Sequence, residues 1–285
     1  MGTLMTNGGV RREASGKRPA TKEVFMIKYK LSGTTVQTVI CQLEQGQTVF
    51  AEPGKFLWKT INVGIETRLT RPVGNQAGAP AAAGGLLQKA MDVTKRALAG
   101  ESLAFQYFAP SGGSGLVAFA GVVPGELSAI ELDGTRGWLT EKATFVAAES
   151  SIDFDIAFTG MRAGLRGGDG FILEHFTGAG TLFIAAAGSL TEINPAKYGG
   201  KIQVHTGCVV AFEDSLKYGV ERVGGLSAQT LMTAAFGAEG INLATLEGDG
   251  RVLIQSVTLE ALARSLHPYL PGSGEEKRGP LGGLI

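Results

Sequence analysis

Histidine and cysteine are scarce in this chain, and that scarcity removes whole classes of chemistry. Its 285 residues include three histidines, His175, His205 and His267, and two cysteines, Cys41 and Cys208. The two cysteines lie far apart at no metal or redox spacing, so they read as small buried hydrophobes in a reducing compartment. Net charge is also lacking: 26 Lys plus Arg balance 26 Asp plus Glu. With no summed field to hold a polyanion, nucleic acid is argued against as a partner. Charged residues make up only 18% of the chain, against ~25% in a typical soluble protein. Surface covered by other subunits accounts for such a deficit, so a homo-oligomer is expected. No stretch approaches the ~18 consecutive apolar residues of a membrane-spanning helix, and the first residues have no apolar run like a secretory signal. The expected location is cytoplasmic, or mitochondrial if the source is eukaryotic.

Glycine, by contrast, is abundant: 43 residues, about twice the usual ~7%. The glycines punctuate β-rich runs and mark an internal repeat. GESLAFQYFAPSGGSGLVAFA from Gly100, GDGFILEHFTGAGTLFIAAA from Gly168 and AEGINLATLEGDGRVLIQSV from Ala238 follow one another at spacings of 68 and 70 residues. Each reads as a hairpin of two strands around a glycine turn. Aligned, Leu103, Phe171 and Ile241, then Phe105, Leu173 and Leu243, share one face of the first strand. Val117, Leu182 and Val252, then Phe119, Ile184 and Ile254, share one face of the second. These positions are the candidate core. The segments EPGKFLWKT from Glu52, EKATFVAAES from Glu141 and HTGCVVAFEDS from His205 correspond in the same way, each continuing a β run.

The fold class implied is all-β with a few short helices. One compact region, 24–271, is expected to hold three repeats, about 24–123, 124–188 and 189–258, followed by a C-terminal helix over 259–267. That helix has Leu259, Leu262, Ala263 and Leu266 on one face, Thr258 as its cap and Pro268 as its stop. Residues 1–23 and 272–285 have the polar, Gly-rich composition of disordered tails. Between strands, Leu86 to Leu98 forms an amphipathic helix: Leu86, Ala90, Val93 and Ala97 recur at helical spacing, with Leu87, Met91 and Leu98 on the adjoining row. Its apolar face, including Leu86, Leu87, Ala90, Met91 and Leu98, has two readings. It caps the β-core or a subunit contact, or it meets a protein partner or, peripherally, a membrane surface with the help of Lys89, Lys95 and Arg96.

Catalytic patterns were sought against this background. G-x-S-x-G, H-E-x-x-H, the P-loop and G-x-G-x-x-G are all missing. A cupin-like barrel would need a His-x-His motif, which is absent, and the neighbours Glu174 and His175 point to opposite faces of one strand. Asp153 and Asp155 share a strand face at ~6–7 Å, within reach of an acid–base pair, but a solvated strand gives the same pattern. The aromatics Phe105, Phe119, Phe171 and Phe183 sit in apolar strands and read as core rather than as an RNA-stacking platform. No catalytic residue, cofactor or metal ligand is assigned.

GGKIQVHTGCVVAFEDSLKYGVERVGG, from Gly199 to Gly225, with LAGESL from Leu98 and HPYLP from His267, resembles the family named for altered inheritance of mitochondria, over roughly Val24 to Pro271. The resemblance implies three duplicated units, each like the tryptophan RNA-binding attenuation protein, a short double-stranded β-helix. It also implies that three chains could close a nine-unit ring. It transfers no catalytic or ligand-binding residue. By analogy with members that organise mitochondrial inner-membrane complexes, it implies a non-enzymatic oligomeric scaffold engaging a protein partner or membrane-associated complex. The alternative is a small-molecule- or metal-binding, cupin-like β-barrel enzyme, which would carry stoichiometric metal lost on changing His175 or His205. Replacing Leu87→Glu and Met91→Glu together is expected to abolish partner or membrane recovery while leaving the β-signature in circular dichroism intact. Equal recovery would remove the 86–98 helix from the scaffold reading.

Overall fold

Alternation of apolar and polar residues makes Thr38–Leu43 a half-buried strand, with Val39, Cys41 and Leu43 inside. The same physics sets most of the chain. The structure, a computed structural model, describes residues 26–68, 104–158, 172–222 and 242–270. Its strands are β1 Lys28–Ser32, β2 Thr38–Leu43, β3 Val49–Ala51, β4 Phe56–Lys59, β5 Val63–Arg68, β6 Phe105–Pro110, β7 Gly115–Ala120, β8 Leu127–Asp133 and β9 Trp138–Glu141. They continue as β10 Phe145–Glu149, β11 Ile152–Phe158, β12 Ile172–Ala185, β13 Leu190–Ile193, β14 Lys201–His205, β15 Val209–Glu213, β16 Lys217–Arg222, β17 Asn242–Glu247 and β18 Val252–Gln255. Among the described residues there is one α-helix, α1 Leu259–Leu266, followed by a 3-10 turn over His267–Tyr269. The protein is all-β.

Three sheets hold these strands. One runs β1-β2-β7-β4, one β14-β17-β16, and the largest β13-β18-β15-β9-β12-β10-β3-β6-β5, with β8 and β11 also on β12. One pairing scheme occurs three times. β4 on β7, β10 on β12 and β15 on β18 are antiparallel ladders, each with a register shift one residue into the first strand: Phe56/Trp58, Phe145/Ala147 and Val209/Ala211. β5 on β6, β11 on β12 and β16 on β17 likewise match. The core follows the scheme. Phe50, Phe145 and Phe176 pack in one cluster, Val117, Phe119 and Phe183 in a second, Leu173, Phe212 and Leu246 in a third.

The glycine segments do not form hairpins. β6 pairs with β3 and β5, whereas β7 pairs with β2 and β4, so the two strands flanking Gly113 belong to different sheets. In the middle copy there is no break at all: β12 runs 14 residues, its first half on β11 and β9 and its second half on β8 and β10. The glycines bend a strand from one sheet into the next rather than reversing it. Gly178 (φ 102°) and Gly180 (φ 152°) supply that bend, since positive φ is costly with a side chain. The core assignment made from the alignment survives the correction. Phe105, Leu173, Val117, Leu182, Val252, Phe119 and Ile184 are all buried, although Leu243 and Ile254 are only partly so.

α1 forms as its sequence suggests, with the Thr258 hydroxyl accepting from Ala261 N and Glu260 paired to Arg264 at 3.1 Å. Its apolar face is nonetheless not buried against the described residues. The amphipathic segment 86–98, the tails and the aligned set Leu103, Phe171 and Ile241 lie outside the described residues. A Cβ at Gly178 would sit 2.7 Å from the Ser151 carbonyl oxygen, whereas one at Gly46 (φ 90°) meets nothing within 4 Å. Gly178→Ala is therefore expected to cost about 3 kcal/mol, and Gly46→Ala, with dihedral strain alone, about 1 kcal/mol. Urea unfolding midpoints of the two variants check the order.

Candidate functional site

His175 lies opposite Leu139 of β9 and Asp155 of β11, and its Nε2 stands 3.1 Å from Asp214 Oδ2. The same carboxylate oxygen accepts Gly137 N–H at 3.0 Å. Both side chains are about one-third exposed, so this is a half-wet tie between β12 and the turn after β15. Its neighbour Glu174 is buried, on the opposite face as the strand period requires. His205 spends its Nδ1 accepting Gly207 N–H at 3.1 Å, capping a single 3-10 turn. Among the described residues, no group of three or more His, Cys, Asp or Glu is placed to hold a metal ion. Asp153 is half-buried and Asp155 exposed, on the outer strand β11.

The structure draws attention instead to the seams where one set of strands meets the next. At one seam β10 pairs with β3, through Ala147 to Ala51, Ala148 to Phe50 and Glu149 to Val49. At another β15 pairs with β9, through Ala211 to Thr140, Phe212 to Leu139 and Glu213 to Trp138. Every residue of β10 and β15 is buried. Each seam ends in a further backbone bond, Ser150 N to Thr48 O at 2.9 Å and Asp214 N to Gly137 O at 3.0 Å.

Each seam also carries a buried acid. Glu149 Oε1 accepts Thr181 N–H at 2.8 Å and Ile27 N–H at 3.2 Å. Glu213 receives Arg251 Nε at 2.7 Å and Arg136 at 2.9 Å, and the Arg251 guanidinium lies 4.8 Å from the centre of the Trp138 ring. These groups line a polar cleft of about 360 Å³ together with Glu131, Asp133 and Thr135. Across the first seam Lys55, 4% exposed, donates to Ala143 O at 3.4 Å. Burial depresses the Lys55 pKa, opposed by the nearby Glu52, Glu174 and Glu141 carboxylates. Burial likewise raises that of Glu141, which caps the turn before β10 by accepting Ala143 N–H.

Two strands lack such a seam. β4 pairs only with β7 and β14 only with β17 among the described residues. On β4, Leu57 is 49% and Trp58 43% exposed, and the following Ile61 is 98% exposed. The matching positions of the sister strands, Val146 and Ala147 in β10 and Val210 and Ala211 in β15, are all fully buried.

The family model described as mitochondrial biogenesis AIM24 matches residues 29–257. This chain belongs to that family. A relative, an uncharacterized protein of Streptococcus pyogenes serotype M6, is 31% identical over 232 residues, covering 81% of this chain and 86% of its own. A crystal structure of a protein from Streptococcus pyogenes matches with a TM-score of 0.64 at 25% identity, covering 86% of this chain and all of that one. The helix residues Leu86, Leu87, Ala90, Met91 and Leu98 lie outside the described residues. The seam acids and the open edges were not singled out from sequence, although one signal for the edges was present. Within the aligned segments FLWK, FVAA and VVAF, only the first carries a large aromatic and a lysine where the others have small or apolar residues.

Glu213 is 6% exposed and answers two guanidinium groups. Glu213→Ala is expected to destabilise the protein by about 3 kcal/mol and Glu213→Gln by about half as much, since glutamine keeps an acceptor but not the charge. Urea titrations of both variants check this.

Proposed function

We propose that the protein is a non-enzymatic scaffold whose open sheet ends take up other protein chains, engaging a partner protein or a membrane-associated complex. The observation that carries this reading is the exposure of Leu57 and Trp58 on a terminal strand, where the matching residues of two internal strands are buried. An exposed, apolar strand edge is an aggregation hazard unless something pairs with it, and strand addition is a common mode of protein recognition. Membership of the AIM24 family is consistent with such a role. The three-unit organisation and the likeness to the attenuation protein's short β-helix belong to the same proposal, supported by the pairing scheme that recurs at β4, β10 and β15. The apolar row of the 86–98 segment is the proposed second contact, toward a partner or, peripherally, a membrane surface. A cytoplasmic setting is proposed with it; no helix among the described residues is long and apolar enough to cross a membrane.

Affinity-tagged protein recovered from its native cells is expected to elute in a complex heavier than one 29.6 kDa chain. Leu57→Glu with Trp58→Glu is expected to reduce it to single-chain mass with an unchanged circular dichroism spectrum. A wild-type chain that elutes alone, or a double variant that keeps the complex, overturns the reading.

A further inference from the structure

The polar cleft belongs to the inner seam between β15 and β9, where both strands are paired on each side. Glu213, 6% exposed, gives one carboxylate oxygen to each of two arginines: Oε1 accepts from Arg251 Nε at 2.7 Å and Oε2 from Arg136 Nη1 at 2.9 Å. One positive charge is left over among the three groups. Among the described residues neither guanidinium has a further acceptor, so Nη1 and Nη2 of Arg251 and Nε and Nη2 of Arg136 remain as donors. Both arginine side chains are about half exposed, and both line the cleft. Its volume of about 360 Å³ falls within the ~300–1,000 Å³ of small-molecule sites.

Arg251 is held in place before any ligand arrives. Its guanidinium lies 4.8 Å from the centre of the buried Trp138 ring, and Glu213 fixes Nε, so the Nη edge is presented in one orientation. A planar guanidinium held in this way matches a carboxylate with two parallel bonds, and little side-chain freedom remains to be lost on binding. The rest of the charged lining has the other sign. Glu131 and Asp133 are two residues apart on β8, so both side chains lie on one face of that strand, and both are exposed. Asp133 Oδ1 accepts the Thr135 hydroxyl at 2.6 Å and Thr135 N–H at 2.8 Å. These bonds hold the Asp133 carboxyl below its ordinary pKa, which keeps it ionised.

We infer that this cleft binds a small zwitterion of dipeptide size, its carboxylate on the Arg136 and Arg251 guanidiniums and its ammonium toward Glu131 and Asp133. The charges of the lining decide the class. A simple anion gains the arginines but meets two carboxylates, and a phosphate or polycarboxylate meets more repulsion still. A simple cation gains the carboxylates and is repelled by the guanidiniums. A ligand carrying both signs satisfies both groups. Because those groups come from different strands, the charged ends of the ligand must be separated. A dipeptide provides this at ~3.3–3.6 Å per residue, and a single α-amino acid does not. Trp138 and Leu132, the apolar residues of the lining, are buried, so recognition rests on the two ends and not on a large apolar side chain. The site goes beyond the scaffold reading and uses no residue of the open edges.

The test is calorimetric titration of the full-length chain with glycylglycine, beside N-acetylglycylglycine, which lacks the ammonium, and glycylglycinamide, which lacks the carboxylate. Saturable one-to-one binding of glycylglycine is expected, with each control weaker by about tenfold or more, the loss of one charge-assisted contact. Arg136→Gln, at a side chain 57% exposed, is expected to weaken glycylglycine by a similar factor with an unchanged circular dichroism melt. Glu131→Gln with Asp133→Asn is expected to weaken glycylglycine and tighten N-acetylglycylglycine, opposite changes that a purely structural Arg136–Glu213–Arg251 network does not produce. Absence of saturable heat with glycylglycine, or equal binding by the Arg136→Gln protein, overturns the site. A control that binds as tightly as glycylglycine makes the cleft a site for one sign of charge and overturns the zwitterion. If Arg136→Gln lowers the melting temperature, the paired change at Glu131 and Asp133, both exposed, decides by the signs of its two effects. Failure here leaves the scaffold reading intact, since that reading is tested by complex mass on changing Leu57 and Trp58.

Discussion

A strand buried on both faces must find backbone partners on both sides, and this requirement organises the molecule. Water cannot reach β10 or β15, whose residues are all buried, so every N–H and C=O there has to be answered by protein. One side of each is answered within its own set of strands, by β12 and β18, and the other side by the neighbouring set, through β3 and β9. The cores follow the ladders across the seams. Phe50 of β3 stands against Phe145, 5.6 Å between ring centres, and Phe145 stacks on toward Phe176 at 5.0 Å. Among the described residues, each core cluster draws side chains from more than one set of strands.

The all-β class and much of the interior were legible in the sequence because both depend on period-two alternation, which local sequence carries. Val39, Cys41 and Leu43 show it directly, and alignment of the three glycine segments found Val117, Leu182 and Val252, all buried. The hairpins were misread for an equally physical reason. A pair of glycines at positive φ is compatible with reversing a strand or with bending it, and the choice depends on which distant strands wait to pair with each half. For β12 those are β11 and β9 on one side of Gly178 and β8 and β10 on the other, and nothing within the segment itself encodes them. The seam chemistry was hidden for the same reason: Glu213, Arg136 and Trp138 come together from separate strands, the sequence separation between Arg136 and Glu213 being 77 residues.

One position shows how the seams came to differ. Thr60, Glu149 and Glu213 stand at matching places after β4, in β10 and in β15. The Thr60 hydroxyl accepts Leu116 N–H at 3.0 Å, and Glu149 accepts Thr181 N–H at 2.8 Å. Thr60 and Glu213 each donate a backbone N–H to the matching carbonyl, of Leu116 and Arg251. All three positions thus supply an acceptor at the corner where the sheet turns. Around that shared function the neighbours diverge. Glu149 also receives the N–H of Ile27, tying down the start of the described chain, while Glu213 gathers two arginines at the edge of the polar cleft.

Thr60 is the smallest of the three groups and the one without a charge, and it lies beside the open edge. A buried carboxylate is tolerable at an internal seam because its partners arrive in the same chain and at fixed distance, so its desolvation is compensated whenever the protein folds. Beside the open edge of β4 a carboxylate would be hydrated, and any later covering of it would cost that hydration. Threonine, already bonded to Leu116 and Asn62, carries no such penalty. Beside it stand Leu57 and Trp58, whose apolar surface is worth about 25 cal/mol per Å² when removed from water, and Lys59, which keeps the free edge soluble and resists unselective pairing. The chemistry of β4 thus differs from that of β10 and β15: an uncharged acceptor and the exposed Leu57 and Trp58 stand where the internal seams carry a buried carboxylate and buried Val and Ala side chains.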